Sequence, residues 1–600
     1  MGDLTLSQSR IKILAFSFIV VLSLLSLQLF RVQIVEAGNY KIRALDEMET
    51  TRTVQAPRGD ITDVNGVAFA RSVSAISIVV DQTQINDPAK TAAFVAPILG
   101  LTVAEVQASI TGTRKYSMVL KNGRPALWEK LTSAMESYNA SLDRKDLGER
   151  IIGFFPERSY IREYPSGRLI SSLIGFVRAD GVGATGLESK MNSIISGTPG
   201  KYSYARANGA EIPGSQSEII APKAGTSVRL TIDRDVQWIA SKAIADAVKA
   251  TGAVNGTVIV MDPRTGAIIA HATAPTFDPN NTKGVSLDLM RNPSVQDVYE
   301  PGSTGKVMTM AAALEEKTVT PTTVFSVPFG LTRAGKTFHD HEHHAVQKLT
   351  TTGILAMSSN TGSIKVGETL GSERLFQYLT KFGIGSKTGS GLPGESSGIL
   401  RPVSDWSGTT APTVAFGQGY SVTAMQATSV FATIANGGVR VSPTVIAGTS
   451  DSSGHFTPAG NRESVRVIGE DTAAKLRIMM ESVVSGNGTA PSAAIAGYRV
   501  AGKTGTAQRV DPLTGKYSGY TASFIGFAPA DSPRYVINVT LQRPRNGHYG
   551  GALCGPVFKK VMTFVLQSEH VAPTGTKVLP VALTQAQLKG YRATQASARN

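Results

Sequence analysis

The sequence predicts an α+β protein: an antiparallel sheet flanked by helices, an elongated N-terminal α+β pedestal before it, and one apolar N-terminal helix. Three observations carry that prediction. Residues 13–30 form an uncharged apolar run of 18 residues close to the N-terminus. A Pro/Gly/Ser-rich stretch at 213–225 interrupts the patterning of the remaining chain. Beyond it, strand patterns stand at both ends of a helical middle, as in a sheet that gathers strands from distant parts of the chain.

The elements follow in order. Residues 1–10 read as a short stub and 11–34 as a transmembrane signal anchor. The apolar run approaches the ~20 residues a spanning helix needs and exceeds the roughly 7–15 of a cleaved signal. Val35-Glu36-Ala37 is a poor cleavage site, so the expectation is an uncleaved, single-pass anchor. Arg10 and Lys12 precede the run, while Arg31, Lys41 and Arg43 follow it. That balance leans towards a cytoplasmic stub without fixing the orientation. Residues 35–220 read as a non-catalytic pedestal, with a β-branched strand at 75–80, helical spacing over 94–110 and an Asn65-Gly66 turn. The second domain, 221–572, opens with a strand at 227–232 and a helix at 234–250 whose first turn is acidic. A hairpin follows, with apolar runs 257–261 and 267–270 joined by a Pro- and Gly-containing turn. Helical stretches are expected near 303–316, 350–370 and 423–436, strands at 498–501, 523–527 and 535–541, and a last helix at 557–567. Residues 573–600 read as a loose tail.

Composition bounds the function. Six hundred residues exceed one ordinary core, and 42% hydrophobic with 18% charged residues excludes wholesale disorder. A net charge of +15 favours anionic surroundings such as nucleic acid, lipid headgroups or an acidic cell wall. No basic cluster interleaves with aromatics, which argues against nucleic acid. Cys554 is the single cysteine, so there is no intramolecular disulfide, Cys-based metal cluster or dithiol pair.

Three short motifs carry chemistry. Ser303-Thr304-Gly305-Lys306 joins a turn to a helix start, putting Ser303 and Lys306 one helical turn apart. A serine hydroxyl needs a base to become a nucleophile, and a lysine serves if burial or nearby charge keeps it neutral. Ser358-Ser359-Asn360 lies 55 residues on, in a helical stretch ending in a turn, where a hydroxyl and a carboxamide can enter one cleft. Lys503-Thr504-Gly505-Thr506 follows an apolar strand. Its edge would add an extended peptide to the sheet, with Lys503, Thr504 and Thr506 on a carboxylate and Gly505 admitting the ligand backbone. Single motifs are cheap, as Ser9/Lys12, Ser137/Asn139, Ser485/Asn487 and Lys387-Thr388-Gly389 show. The last sits in a Gly-rich loop with no strand before it, so order and context select the first set.

That ordered set is the signature of penicillin-binding proteins and class A β-lactamases. Over nearly its whole length the chain resembles a class B penicillin-binding protein. Phe277-Asp278-Pro279-Asn280, Leu392-Pro393-Gly394-Glu395 and Gly417-Gln418-Gly419-Tyr420 resemble landmarks of that family's transpeptidase domain. Arg58-Gly59, Asn65-Gly66, Tyr164-Pro165 and Gly186-Leu187-Glu188 resemble those of its N-terminal, dimerisation-type module, with Val64 departing where arginine is common. The resemblance implies a penicillin-binding/β-lactamase-like fold and a D,D-transpeptidase acting on peptidoglycan stem peptides. It implies Ser303 as nucleophile, Lys306 as general base and Ser358 as proton relay. Asn360 would hold the peptide, Lys503 the carboxylate side, and the N–H groups of Ser303 and Thr506 the oxyanion. Whether Lys306 or another group takes the first proton stays open. The resemblance further implies β-lactams as ligands, no metal or other cofactor, an extracytoplasmic catalytic domain and a membrane glycosyltransferase partner of the FtsW type. Overall similarity leans towards the septal, FtsI-like member.

Rival readings have their own marks. His339-Asp340-His341-Glu342-His343-His344 has the composition of a metal site but the flanks of a solvated loop. A class A β-lactamase needs a deacylating glutamate, and no Glu-x-x-Leu-Asn stretch lies between Asn360 and Lys503. A β-lactam receptor would need a large cytoplasmic effector, and an idle scaffold would not need the intact motif set.

Overall fold

The computed structural model describes residues 3–41, 49–207, 210–211, 218–510, 515–578 and 581–590. Arg43, residues 213–217 of the expected boundary and residues 591–600 of the expected tail lie outside the described residues. Contacts divide the chain into two compact units. One comprises Met1–Pro57, Val73–Ile161 and Gly197–Ala224, the other Arg58–Ser72, Arg162–Ser196 and Gly225–Asn600. The chain passes back and forth between these units before settling in the second.

The first unit begins with a helix, Asp3–Phe30. The segment Gln8–Val35 is long and apolar enough to cross a membrane, and none of its apolar window is buried in the protein. Further on, Ile78, Val80, Val95, Val106 and Leu131 close a small core. The helical spacing read over 94–110 resolves into two helices, Pro88–Leu99 and Val103–Ile110. Gly100 ends the first with φ +70°, a conformation glycine adopts without Cβ strain. Thr102 and Glu105 form the capping box that starts the second.

The second unit is built on helices α1 (Arg234–Thr251), α2 (Lys306–Glu315), α3 (Thr351–Ala356), α4 (Asn360–Glu368), α5 (Ala424–Ala435) and α6 (Gly550–Ser568). Its strands are β1 (Asn255–Met261), β2 (Ile268–Ala274), β3 (Ala501–Val510), β4 (Tyr517–Ala528) and β5 (Tyr535–Gln542). They form one antiparallel sheet in the order β2-β1-β5-β4-β3. The side-chain period of two sends alternate residues to opposite faces. Val258, Val260, Phe524, Ile537 and Val539 meet α1 and α6 on one face. Ile259, Met261, Ile525, Phe527 and Val536 meet α2 and α5 on the other. Each fully buried residue of this kind contributes roughly 1.5–3 kcal/mol. Every residue of the central strand β5 is buried, including Asn538, whose amide donates to Ala424 O and Thr428 Oγ1 and accepts from Thr540.

The unit recruits two earlier stretches through specific bonds. Ile61–Thr62 pairs in parallel with Ser227–Leu230. Arg58 and Arg162 both donate to Glu188, at 2.6 and 2.7 Å, and Glu188 is fully buried. Arg58 also reaches Asn192 and Ser196, and Tyr164 Oη lies 3.5 Å from Glu188. Three landmarks up to 130 residues apart in sequence thus close on one carboxylate.

The segment expected as a loose tail is docked where it is described. Thr350 donates through its N–H to Leu583 O and through its hydroxyl to Ala582 O, and Ala582 is 3% exposed. Composition hid this, because two backbone carbonyls and a buried alanine make the attachment.

Replacing Glu188 by Ala leaves two arginines facing each other in a buried site. The expected loss is about 3–5 kcal/mol of stability, read as a lowered denaturant midpoint of the soluble portion, whereas Arg71→Ala, at an exposed pair with Glu163, should cost below about 1 kcal/mol.

Candidate active site

The turn bearing Ser303 is held from two sides. Gly302–Thr304 forms a single tight turn that feeds Lys306 into α2. Gly302 donates to Gly417 O, and Tyr299 exchanges two backbone bonds with Val422, so the 417–422 segment clamps the turn. Gly302 has φ +54°, and a Cβ there would stand 2.8 Å from the Ala507 methyl of β3. The turn therefore lies directly on β3. Ser303 itself is partly exposed between buried Gly302 and Thr304.

Lys306 is fully buried. Its Nζ donates to Ser358 O at 2.5 Å and to Asn360 Oδ1 at 2.8 Å, and lies 3.3 Å from Ser358 Oγ. The first two partners only accept, so they occupy two N–H groups. The third direction faces a hydroxyl, which can itself donate to a neutral amine. Burial pushes Lys306 down to about 7, against the opposing pull of the Asp340 carboxylate. Lys503 is also fully buried, with Nζ 2.9 Å from Ser358 Oγ and bonds to Thr504 O and Oγ1. Burial, and then the nearby Lys306, lower its pKa well below the ordinary value. Two buried ammoniums around one serine repel, so the cluster favours the neutral form of at least one of them.

Ser358 is the junction of this cluster. The helical stretch read over 350–370 is broken here: α3 ends at Ala356 and α4 starts at Asn360. The break is needed because Ser358 adopts φ +59°, a region that costs a non-glycine residue of order 1–3 kcal/mol. Ser359 caps α4 by accepting from Gly362 N–H. The Asn360 carboxamide is occupied on both ends, accepting from Lys306 and donating to His339 O.

Lys503-Thr504-Gly505-Thr506 lies inside a strand rather than after one. Among the described residues β3 is the edge of the sheet and pairs with β4 alone, which suits addition of an extended peptide. Gly505 has a reason within the protein, since a Cβ there would come 2.3 Å from Ser523 Oγ and 3.1 Å from Pro301 O. Thr504 Oγ1 is shared with Thr489, and Thr506 Oγ1 accepts from Gly550 N–H at the start of α6. The structure thus joins Lys306, Ser358, Asn360, Lys503 and Thr504 by direct hydrogen bonds, and sets the Ser303 turn against Gly505 and Ala507.

The decoy motifs fall elsewhere. Thr388 of the second Lys-Thr-Gly and Ser390 just after it both donate to Glu395, and Asn139 is bonded to the Ile151 backbone. Cys554 is buried in the α6 core, where burial raises its pKa. No three His, Cys, Asp or Glu side chains converge as metal ligands among the described residues. The histidine-rich run is only partly solvated: His341 and His343 are exposed, but the Asp340 side chain is 7% exposed and bonded to α4. Nothing in the local sequence marks that aspartate, which stands 20 residues before its partner Asn360.

Comparison with known proteins identifies the family. Residues 256–563 match the penicillin binding protein transpeptidase domain, and residues 53–230 the penicillin-binding protein dimerisation domain. The chain is 34% identical over 586 residues to penicillin-binding protein PbpB of Mycolicibacterium smegmatis, covering 92% of this chain and 89% of that protein. It is 31% identical to peptidoglycan D,D-transpeptidase FtsI of Escherichia coli, covering 87% and 85%. Among solved structures, penicillin binding protein 3 of Mycobacterium tuberculosis complexed with aztreonam superposes with a TM-score of 0.68 at 30% identity, covering 89% of this chain and all of that one. A peptidoglycan synthetase from Bifidobacterium adolescentis gives 0.72 at 32%, with the same coverage. With its buried lysine pair, its Ser303 turn and matches spanning both modules, the chain belongs to the class B penicillin-binding proteins.

Proposed function

We propose that this chain is a serine D,D-transpeptidase that cross-links peptidoglycan stem peptides through an ester on Ser303, in septal wall synthesis. The observation that carries the residue assignment is Ser358 Oγ within hydrogen-bond reach of both Lys306 and Lys503, beside the turn bearing Ser303. The donor peptide adds to the free edge of β3. Lys306, neutral above about pH 7, takes the Ser303 proton as Oγ attacks the penultimate carbonyl carbon. The N–H groups of Ser303 and Thr506 stabilise the oxyanion. The C–N bond then breaks, and the lysine-bound proton passes through Ser358 Oγ to the departing D-Ala amine. The acceptor amine attacks the ester, gives up its proton along the same route, and Ser303 leaves as the alcohol. Lys503 and Thr504 supply the carboxylate side of the site, and Asn360 turns to the substrate peptide when its bond to Lys306 is released.

The same chemistry makes Ser303 the point of β-lactam acylation, in keeping with M. tuberculosis relatives solved with aztreonam and ampicillin. The apolar helix anchors the chain in the cell membrane, and we place the catalytic unit on the extracytoplasmic side, where its polymeric substrate lies. A membrane glycosyltransferase of the FtsW type is the partner this arrangement calls for, since a transpeptidase needs nascent glycan strands.

Incubated with benzylpenicillin, the soluble portion from about residue 49 should gain one persistent adduct by intact mass, mapped by digestion to the Ser303 peptide. Ser303→Ala should give none while keeping its unfolding midpoint, and an unchanged adduct in that variant would overturn the assignment. Second-order acylation should fall tenfold per pH unit below about 7 and level off above it, because only the neutral Lys306 amine can accept the proton. Stopped-flow acylation between pH 5 and 9 checks this, and Lys306→Ala should lower the plateau by about 10²–10⁴-fold.

A further inference from the structure

The loop 339–344 is built more firmly than its composition requires. Asp340 N–H donates to Phe329 O, and the Phe329 ring packs against His339 and His343 at centroid distances of 5.0 and 4.7 Å. This fixes the Asp340 carboxylate at the N-terminus of α4. Oδ1 accepts from the N–H groups of Asn360 and Thr361 at 2.5 and 2.9 Å. Oδ2 accepts from Ser359 Oγ at 2.6 Å and from His344 Nε2 at 3.0 Å. The preceding residue supplies the carbonyl, His339 O, that holds the Asn360 carboxamide nitrogen. Two consecutive residues therefore grip Asn360 by its backbone and its side chain, leaving Oδ1 aimed at Lys306 Nζ.

We infer that Asp340 is a positioning residue for the reaction: it locks the Ser358–Asn360 turn against Lys306 and supplies a negative charge beside that buried lysine. The inference rests on the reading in which Lys306 handles the Ser303 proton. The charged groups facing Asp340 are His344 from the same loop and Lys306 from α2, with Lys503 of β3 behind Ser358. His344 donates from Nε2 to Asp340, while its Nδ1 lies 2.7 Å from Ala345 O. Both ring nitrogens face acceptors, an arrangement that the doubly protonated imidazolium satisfies. Burial opposes its charge, but the bonds to Ala345 and Asp340 outweigh it, and its pKa is raised. Asp340 is also the carboxylate that draws Lys306 towards its charged form. Without Asp340, the lysine cluster would discharge more readily and the turn would lose its anchor.

The test uses the whole soluble portion, benzylpenicillin as probe, and acylation rate against pH. Asp340→Asn keeps an acceptor for Asn360 and Thr361 but removes the charge, so the acidic limb should move down by half a pH unit or more. Asp340→Ala removes the anchor as well and should lower the plateau at least tenfold. His344→Gln leaves Asp340 without its cation, so its limb should hold or move up. An Asp340→Asn limb that coincides with wild type overturns the inference, as does an Asp340→Ala plateau equal to wild type. Should Asp340→Ala fail to fold by near-ultraviolet circular dichroism, the Asp340→Asn limb decides alone. If wild type forms no Ser303 adduct, the transpeptidase reading falls and takes this inference with it; if wild type reacts and the variants match it, only the role of Asp340 falls.

Discussion

Two lysine amines and one serine hydroxyl share a buried space, and the catalytic unit is arranged around holding them there. Burying a single ammonium costs several kcal/mol unless it is paired or gives up its proton. Lys306 and Lys503 are both fully buried and both reach Ser358. The cost is met by cores on both faces of the five-stranded sheet, where buried residues each return roughly 1.5–3 kcal/mol. It is also lowered by letting the pair carry less than its full charge. The lowered pKa of Lys306 and its cost to stability are thus one effect of burial seen from two sides.

The three site elements come from parts of the fold that cannot shift independently. Lys503 is fixed by the register of β3 against β4. Lys306 is fixed by α2, whose apolar residues Val307, Met308 and Met310 lie in the core under the sheet. Ser358 is the piece held by strain, in a left-handed conformation between two short helices. Such a residue persists only when its surroundings over-determine it. Here the surroundings are the Ser359 cap, the Asn360–His339 bond and the Asp340 carboxylate. The turn bearing Ser303 is pressed on β3 so closely that Gly302 and Gly505 leave no room for side chains.

Much of this was legible in the chain. The strand–helix–hairpin opening of the second unit, α5 with its Thr423 cap, and the late strands β4 and β5 follow from period and turn chemistry. The ordered motifs separated Ser303, Ser358 and Lys503, which the fold gathers beside β3, from four look-alikes, because turn, helix and strand context travels with local sequence. Where reading failed, the missing information was non-local. The helix expected through 350–370 is broken by a conformation that only the packing around Ser358 enforces. The docked Ala582 and Leu583 are held by backbone carbonyls, which any residue type possesses. The grip of Glu188 on Arg58 and Arg162 spans far too many residues for any pattern to reveal.

By itself, the sequence determined the apolar N-terminal helix, the α+β class, the family, and the residues bearing hydroxyl, amine and carboxamide, since each depends on residue type and short spacing. The tertiary structure decided how those groups are brought together and in what surroundings. Burial that sets the charge of Lys306, the shared contact of two lysines on Ser358, and the recruitment of Asp340 from a histidine-rich loop all depend on side chains brought together from distant segments. Desolvation and Coulomb interaction depend on distance through space, and spacing along the chain does not encode that distance until the sheet has closed.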